Sequence, residues 1–323
     1  MIINGNKLAR EKSEQIKDLI ALISSNTGQK PSLKIIQVGE DPASTLYVFL
    51  KAKAARNIGI ETERILFKSN TEKEVIKKAI ENYAKDTDVD GIMIQSPIPK
   101  LDLDKSLELF NLIPQKKDVD GLSYANLGRL WQLKQLSDLS DINDLFISAT
   151  PLAALDCLLI ATGESVQEMD WLNYRRLASL DTFLRGKRAL IINRSNIVGK
   201  PLAALLEMGN ATVTLAHSKS TNLQDKNFLD KFDLILPATG VDGFYDLEMF
   251  SKDQVVIDIG INNNNPEAKV KGDVTFTRDS YDSKIHPLIA PVPGGVGPLT
   301  VTNLLNNTLI SYARKHGVEF SNL

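Results

Sequence analysis

Tyr47 and Lys51 lie four residues apart behind an Asp41-Pro42 pair, a spacing that sets a phenol and an ammonium on one face of a helix. If partial burial lowers that amine from about 10.4, it can move a proton near neutrality; otherwise it is an ordinary solvated lysine. Gln95 closes the apolar run 91–95, just before Pro97 and Pro99. Its amide either faces the same rim or satisfies backbone groups that the Pro-x-Pro segment frees. Lys117-Asp118-Val119-Asp120-Gly121 places two carboxylates in one loop. Such a pair is either a grip for a ligand rich in N–H donors, because an ionised carboxylate only accepts, or an Asp-Gly turn.

A second group of candidates lies further along. The loop 193–200 joins a strand to a helix opening near Pro201, and it holds one glycine, so the GxGxxG fingerprint is absent. A phosphate could still use the helix N-terminus, with Arg194 as a forked cation beside it. His217-Ser218-Lys219 follows the next strand, where NAD enzymes commonly carry an acidic residue. A hydroxyl and cations there favour a ribose bearing a 2′-phosphate; the alternative is a plain charged surface loop. Pro293-Gly294-Gly295-Val296-Gly297-Pro298 combines glycines that permit close backbone approach with flanking prolines that stiffen the loop, a construction suited to ligand contact. His217, His286 and His316 show no metal-ligand spacing, and Cys157 has no Cys or His partner nearby, so neither a metal site nor a cysteine nucleophile is expected.

These groups need elements to hold them. Strand signals at 32–38, 64–67 and 91–95 alternate with helical signals at 7–24, 42–59 and 71–85, the last opened by a Thr71/Glu74 capping box. A second alternating run has strands at 188–192, 212–216, 234–237 and 255–259, with a helix at 201–208. Another helix is expected at 152–161, carrying Cys157, and a last one behind the glycine-rich loop. That alternation means βαβ units and parallel sheets, the α/β class, with ligands beyond the carboxyl ends of strands. Residues 131–146 read as a polar loop insertion, 163–185 show no clean period around Trp171 and Tyr174, and 262–265 read as a surface turn. The chain has 323 residues, 43% apolar and 24% charged, a length that favours two domains. With 38 basic against 40 acidic residues, no global field gathers nucleic acid or an anionic membrane. The longest apolar runs are about half of the ~20 residues that span a bilayer. The lone cysteine and an N-terminus without a secretory apolar core point to a reducing, cytoplasmic setting.

Together these residues resemble the bifunctional methylenetetrahydrofolate dehydrogenase/methenyltetrahydrofolate cyclohydrolase family. The matching pieces are Gly39-Glu40-Asp41-Pro42-Ala43-Ser44, Tyr47-x3-Lys51, Gly91-Ile92-Met93-Ile94-Gln95, and Lys117 to Leu122. Further pieces are Arg194-Ser195-x2-Val198-Gly199-x-Pro201, His217-Ser218-Lys219, Asp258-x-Gly260, Gly272-Asp273-Val274 and Pro291 to Pro298. They run in the family's order over nearly the whole chain. The resemblance implies two α/β domains flanking a cleft: a folate-binding catalytic domain of residues 1–148 plus 292–323, and a Rossmann-like NADP-binding domain of residues 149–291. The final helix returns to the first domain, and homodimers form through the cofactor domain. It implies oxidation of 5,10-methylenetetrahydrofolate with NADP and hydrolysis of the methenyl product to 10-formyltetrahydrofolate, within one-carbon metabolism and purine biosynthesis.

Roles carry over by position. Lys51 serves the hydrolytic step, Gln95 orients it, Tyr47 stacks on the folate and Asp120 binds the pterin edge. Pro97, Asp118, Pro293, Gly294 and Gly295 join the folate contacts. Thr150, Asn193, Arg194, Ser195, Val198, His217, Ser218, Thr239, Gly240, Ile261 and Gly295 are implied on the cofactor side, with Arg194 and Ser218 at the 2′-phosphate. A fused folate ring suits an aromatic face and a carboxylate, and its methenyl carbon is electrophilic enough for a proton relay without metal. The chain departs from the family at Asn193, where glycine is usual. It departs again at Ala149-Thr150-Pro151-Leu152-Ala153, where Cys-Thr-Pro-x-Gly is usual, and at Ser96, where leucine is common. The long stretches 131–146 and 163–185 resemble extensions of dehydrogenase-only relatives, which tend to lose the helix lysine. Lys51 is present, so both activities are expected; a dehydrogenase-only enzyme using NAD, or a non-catalytic nucleotide-binding module, are the alternatives.

Overall fold

The computed structural model describes residues 1–99, 101, 103–141, 144–163, 174–262 and 270–318. α1 (Gly5–Thr27) starts at Asn4, whose side chain accepts from the Lys7 amide at 3.1 Å, and stops at Gly28, where φ is +70°. β1 (Ser32–Val38) follows, then α2 (Pro42–Asn57), capped by Asp41 through the Ser44 amide at 2.9 Å. β2 (Glu61–Phe67), α3 (Lys73–Lys85) and β3 (Gly91–Ile94) complete a three-stranded parallel sheet in the order β2-β1-β3. The expected capping box does not form: Glu72 stands at the N-cap with no side-chain bond, because the Thr71 amide already closes a turn on the Lys68 carbonyl at 2.9 Å. α4 (Leu103–Phe110) and α5 (Tyr124–Leu130) precede the crossing to the second half.

That crossing is α6 (Ala149–Ala161), apolar all round and buried at nearly every position, as a helix between two layers must be. α7 (Leu180–Leu184) leads into β4 (Arg188–Ile192), α8 (Gly199–Met208), β5 (Thr212–Ala216), α9 (Lys226–Leu229) and β6 (Leu234–Pro237). β7 (Tyr245–Asp246), β8 (Val255–Ile257), β9 (Val274–Thr275) and β10 (Leu288–Ala290) follow, and α10 (Val296–Lys315) ends the fold. The second sheet is five-stranded and wholly parallel, ordered β10-β8-β6-β4-β5; β7 and β9 pair separately. Its order reverses between β4 and β6, so their carboxyl ends frame the crevice where such sheets bind ligands.

The two halves are stitched together at both ends of the chain. Ile3 donates to the Ile289 carbonyl at 2.8 Å, adding the first residues to the β10 edge of the second sheet. α10 returns to lie against α1 and α6. Four polar groups meet in that contact. Asp156 of α6 accepts from Asn303 of α10 at 2.9 Å and from the Arg176 guanidinium at 2.9 Å, and it pairs with Lys12 of α1 at 3.4 Å. Burial pushes the Lys12 amine down to about 7, while Asp156 pulls it back up. A carboxylate shared by two buried cations fixes the relative placement of three helices, since displacing any one leaves a desolvated charge poorly matched.

Residues 131–146 are not a surface loop. A 3-10 helix (Leu136–Asp141) turns Leu136 and Leu139 into the same core as α6 and α8, and Leu145 beyond it joins them; the sparse leucines do the packing that the surrounding aspartates and serines mask in sequence. Of 163–185, the described residues include a 3-10 helix (Arg175–Ser179) running into α7, with Tyr174 and Leu177 buried against that core. Trp171 lies outside the described residues, as does most of the turn expected at 262–265. Asn262 pairs with Lys271 at the neck of that last segment.

Candidate active site

α2 carries Tyr47 and Lys51 at the carboxyl end of β1, and Gln95 continues β3 by donating its amide to the Ile36 carbonyl at 2.8 Å. The Lys51 amine donates to Gln95 Oε1 at 3.0 Å. Gln95 Nε2 donates to the Ser96 carbonyl at 2.7 Å, which fixes the amide with its oxygen towards the amine. Asp120 is the charge that faces them. Burial pushes Lys51 below the usual lysine range and the Asp120 carboxylate opposes it; burial raises Asp120, opposed by Lys51 and reinforced by Asp118. Both partners are moved towards neutrality, the condition in which a proton transfers cheaply between them and a substrate. Burial also raises the Tyr47 phenol, so its half-buried ring stays uncharged beside the amine.

Asp118, expected among the folate contacts, is turned inward and 1% exposed. Its carboxylate accepts from the amides of Leu122 at 3.2 Å and Ser123 at 2.8 Å, and from Asn126 Nδ2 at 2.7 Å. An acceptor so engaged holds the turn that presents Asp120 rather than a ligand. Asn126 passes the constraint on, its Oδ1 accepting from the Phe146 amide at 3.0 Å. Gly121 completes the turn with φ +68°, and a Cβ there would lie 2.7 Å from the Phe146 carbonyl oxygen. Pro97, two residues beyond Gln95, and Pro293, before the double glycine, are both exposed. Gly294 has φ +101°, and a Cβ on Gly5 would fall 1.9 Å from the Gly295 carbonyl oxygen. The double glycine therefore seats the loop on the start of α1 as well as shaping the cleft.

At the second sheet, the loop after β4 organises itself through side chains. Asn193 Oδ1 accepts from the amides of Ser195 at 2.7 Å and Gly199 at 3.2 Å, and its Nδ2 donates to the Ala238 carbonyl at 2.7 Å across the sheet's reversal point. Ser195 Oγ accepts from the Val198 amide at 3.1 Å. Amides that a glycine-rich turn would offer to phosphate are thus engaged by the loop's own side chains, and Asn193 and Ser195 act as organisers. Arg194, between them, is exposed. The Ser148 hydroxyl donates to the Ile197 carbonyl at 3.1 Å, tying this loop to the segment that opens α6. Thr150, in the first turn of α6, meets Thr300 of α10 at 3.4 Å. His217 and Ser218 follow β5, where the Lys219 amide donates to His217 Nδ1 at 3.2 Å. Ile261 is 43% exposed.

Two buried aspartates shape the far wall. Asp273 accepts from the Thr239 amide and from those of Gly240 at 3.1 Å and Val241 at 3.2 Å. Asp258 accepts from Gly260 at 3.0 Å, Asp273 at 3.2 Å and Val274 at 3.0 Å. A Cβ on Gly260 would lie 2.0 Å from Asp273 Oδ1, and one on Gly272 would lie 2.0 Å from Asp258 Oδ2. The Asp-x-Gly and Gly-Asp motifs are reciprocal: each glycine makes room for the other motif's carboxylate. That role was not assigned from the sequence, though the paired motifs were its only trace. Among the described residues, no cluster of three or more metal-ligating side chains occurs, and no helix is long and apolar enough to cross a membrane.

Known proteins match the chain over nearly its whole length. Residues 3–120 match the tetrahydrofolate dehydrogenase/cyclohydrolase catalytic domain, and residues 174–316 match its NAD(P)-binding domain. The bifunctional protein FolD of Wolbachia pipientis from Culex pipiens is 34% identical over 99% of this chain and 97% of its own length. A bifunctional 5,10-methylenetetrahydrofolate dehydrogenase/cyclohydrolase from Thermoplasma acidophilum superposes with a TM-score of 0.75 at 31% identity, covering 98% of this chain and 100% of that one. The Trypanosoma brucei enzyme, solved with NADP and an inhibitor, gives a TM-score of 0.81 at 27% identity, covering 97% of each chain.

Burial, with the charge of Asp273 adding to it, pushes Asp258 up to about 7 against the amides it accepts. Between the ordinary carboxylate range near 4 and that value, the folded state holds a proton that the unfolded chain releases, so this group's stabilisation is full below about pH 4 and lost as pH rises through about 7. Thermal unfolding between about pH 5 and about pH 8 should therefore show a steeper loss of midpoint with rising pH in the natural protein than in Asp258→Asn. Parallel curves would mean that Asp258 titrates normally.

Proposed function

The chain belongs to the tetrahydrofolate dehydrogenase/cyclohydrolase family, and from that premise we propose how its cleft divides two reactions among its residues. The enzyme oxidises 5,10-methylenetetrahydrofolate to the methenyl form with NADP, then adds water to give 10-formyltetrahydrofolate. The observation that carries the residue assignment is the Lys51–Gln95 hydrogen bond at 3.0 Å beside Asp120. Asp120 accepts from the amino and ring N–H groups of the pterin, and Tyr47 lays its ring against it. In hydrolysis, water adds to the cationic methenyl carbon and the bond from that carbon to N5 breaks; both protons leave the water as its oxygen becomes the formyl carbonyl, one reaching N5 and the other passing to solvent. The lowered amine of Lys51, aimed by Gln95, moves a proton in this step. Retention of that amine with its partner in place favours both activities over a dehydrogenase-only reading.

The second sheet fits a dinucleotide. Its reversal point is spanned by Asn193, α8 opens directly behind that loop, and Arg194 stands exposed at the loop's crest. When bound, NADP supplies the electron-pair acceptor. Arg194 and Ser218 hold its 2′-phosphate; Thr150, Val198, Thr239, Gly240, Ile261 and Gly295 line its path, and Asp273 stiffens the Thr239–Gly240 turn. Pro97, Pro293 and Gly294 close the folate side. We assign residues 1–148 with 292–323 to folate binding and 149–291 to the cofactor. The same reading carries a cytoplasmic homodimer feeding purine biosynthesis. Buried Cys157 suits a reducing compartment, and Leu215, 38% exposed on edge strand β5, suits a contact between cofactor domains.

Lys51→Met should abolish hydrolysis of methenyltetrahydrofolate, followed by its absorbance, while folate and NADP still bind; undiminished hydrolysis would remove Lys51 from the mechanism. Arg194→Ala should weaken NADP by about one to two decades and leave NAD nearly unchanged, since a forked charged contact contributes roughly 1.5–3 kcal/mol. Equal losses in steady-state assays with both cofactors would place the 2′-phosphate elsewhere.

A further inference from the structure

A carboxylate that reads a substrate edge is useful only if its loop cannot drift, and one grip on the Asp120 loop comes from far away in the chain. Asn307 of α10 is 0% exposed. Its Nδ2 donates to the Val119 carbonyl at 2.9 Å, between the two aspartates, and to the Ile147 carbonyl at 3.0 Å. Its Oδ1 accepts from the Tyr174 hydroxyl at 2.9 Å, and that hydroxyl accepts from the Ile147 amide at 3.2 Å. The ring of bonds is directional. An amide side chain can rotate to exchange its oxygen and nitrogen, and the exchanged form would aim Oδ1 at two carbonyl oxygens. The phenolic proton selects the productive orientation, because it needs an acceptor where Oδ1 stands. Tyr174 is 2% exposed, and burial raises its phenol, so the proton stays in place.

Tyr174 directly precedes the 3-10 helix Arg175–Ser179. We propose that Tyr174 and Asn307 are positioning residues for the folate substrate: the phenol orients the amide, the amide pins the Val119 carbonyl, and Asp120 is thereby held at its working distance from Lys51. The inference rests on the reading of Asp120 as the pterin-binding carboxylate.

The test uses the full-length enzyme and steady-state kinetics of both reactions. Tyr174→Phe keeps the ring and removes only the hydroxyl. It should raise the folate KM about three- to tenfold in both reactions, the range for a single lost hydrogen bond, with the NADP KM unchanged. Asn307→Ala should show the same pattern at larger size. Asp120→Ala should itself raise the folate KM, and adding Tyr174→Phe to it should change nothing further, because the relay then has no carboxylate to place. Three results would overturn the inference. One is an unchanged folate KM in Tyr174→Phe while Asp120→Ala raises it, which leaves the Asp120 reading intact. Another is equal losses for folate and NADP, or additive losses in the double variant, the mark of a general structural role. The last is an unchanged folate KM in Asp120→Ala, which removes the reading of Asp120 together with the relay built on it.

Discussion

A half-buried amine that donates to an amide oxygen and feels the charge of a carboxylate is the arrangement on which the rest of this molecule depends. Burying an ammonium is costly unless it is paired and hydrogen-bonded, and burying a carboxylate carries the same cost. Lys51 and Asp120 offset one another only while their separation is kept, and they come from different elements: one from α2, the other from the turn between α4 and α5, which Asp118 bridges to Ile92 of β3. The parallel ladder of β1 and β3 brings those elements together, with Gln95 as the last ladder residue and also the amine's partner. Each component alone is ordinary. Shared burial displaces both groups from their usual ionisation, and their proximity limits that displacement.

Polar side chains close the turns on both sides of the cleft. Asp118 and Asn126 close the turn beneath Asp120, Asn193 closes the loop after β4, and Asp273 and Asp258 close the turns behind β6 and β8. Each does locally what an N-cap side chain does at the start of a helix, giving backbone amides an acceptor within the loop. These loops cross no sheet, so without such acceptors their buried amides would be left unmatched. The cluster of Lys12, Asp156, Arg176 and Asn303 applies the same device between helices, where α1, α6 and α10 join the two halves.

Much of this was legible from local pattern. β1, β4, β5 and β6 occupy the runs that β-branched residues and flanking breakers delimit, and the four-residue spacing of Tyr47 and Lys51 predicted a shared helix face. Lys51, Gln95 and Asp120 do converge. The remainder depended on partners distant in sequence. Asp118 reads like Asp120 in the motif, and only the fold shows that one is spent on its own turn while the other faces Lys51. Asn193 looked like a substitution beside a phosphate, whereas its amide rebuilds the turn that a glycine would have left to a ligand. Tyr174 meets Asn307 across 133 residues, a pairing that no local periodicity carries. Residues 131–146 were masked by their aspartates, because a few well-spaced leucines suffice for a 3-10 turn to reach the core.

The ionisation of the Lys51 amine itself is the most direct test, followed by NMR through its carbon-labelled Cε across a pH titration. The amine should titrate below the ordinary lysine value of about 10.4, and lower still in Asp120→Asn, because the carboxylate that pulls it upward is gone. A normal lysine titration, indifferent to that replacement, would show an amine that is neither buried nor paired, and the account of the cleft would be wrong.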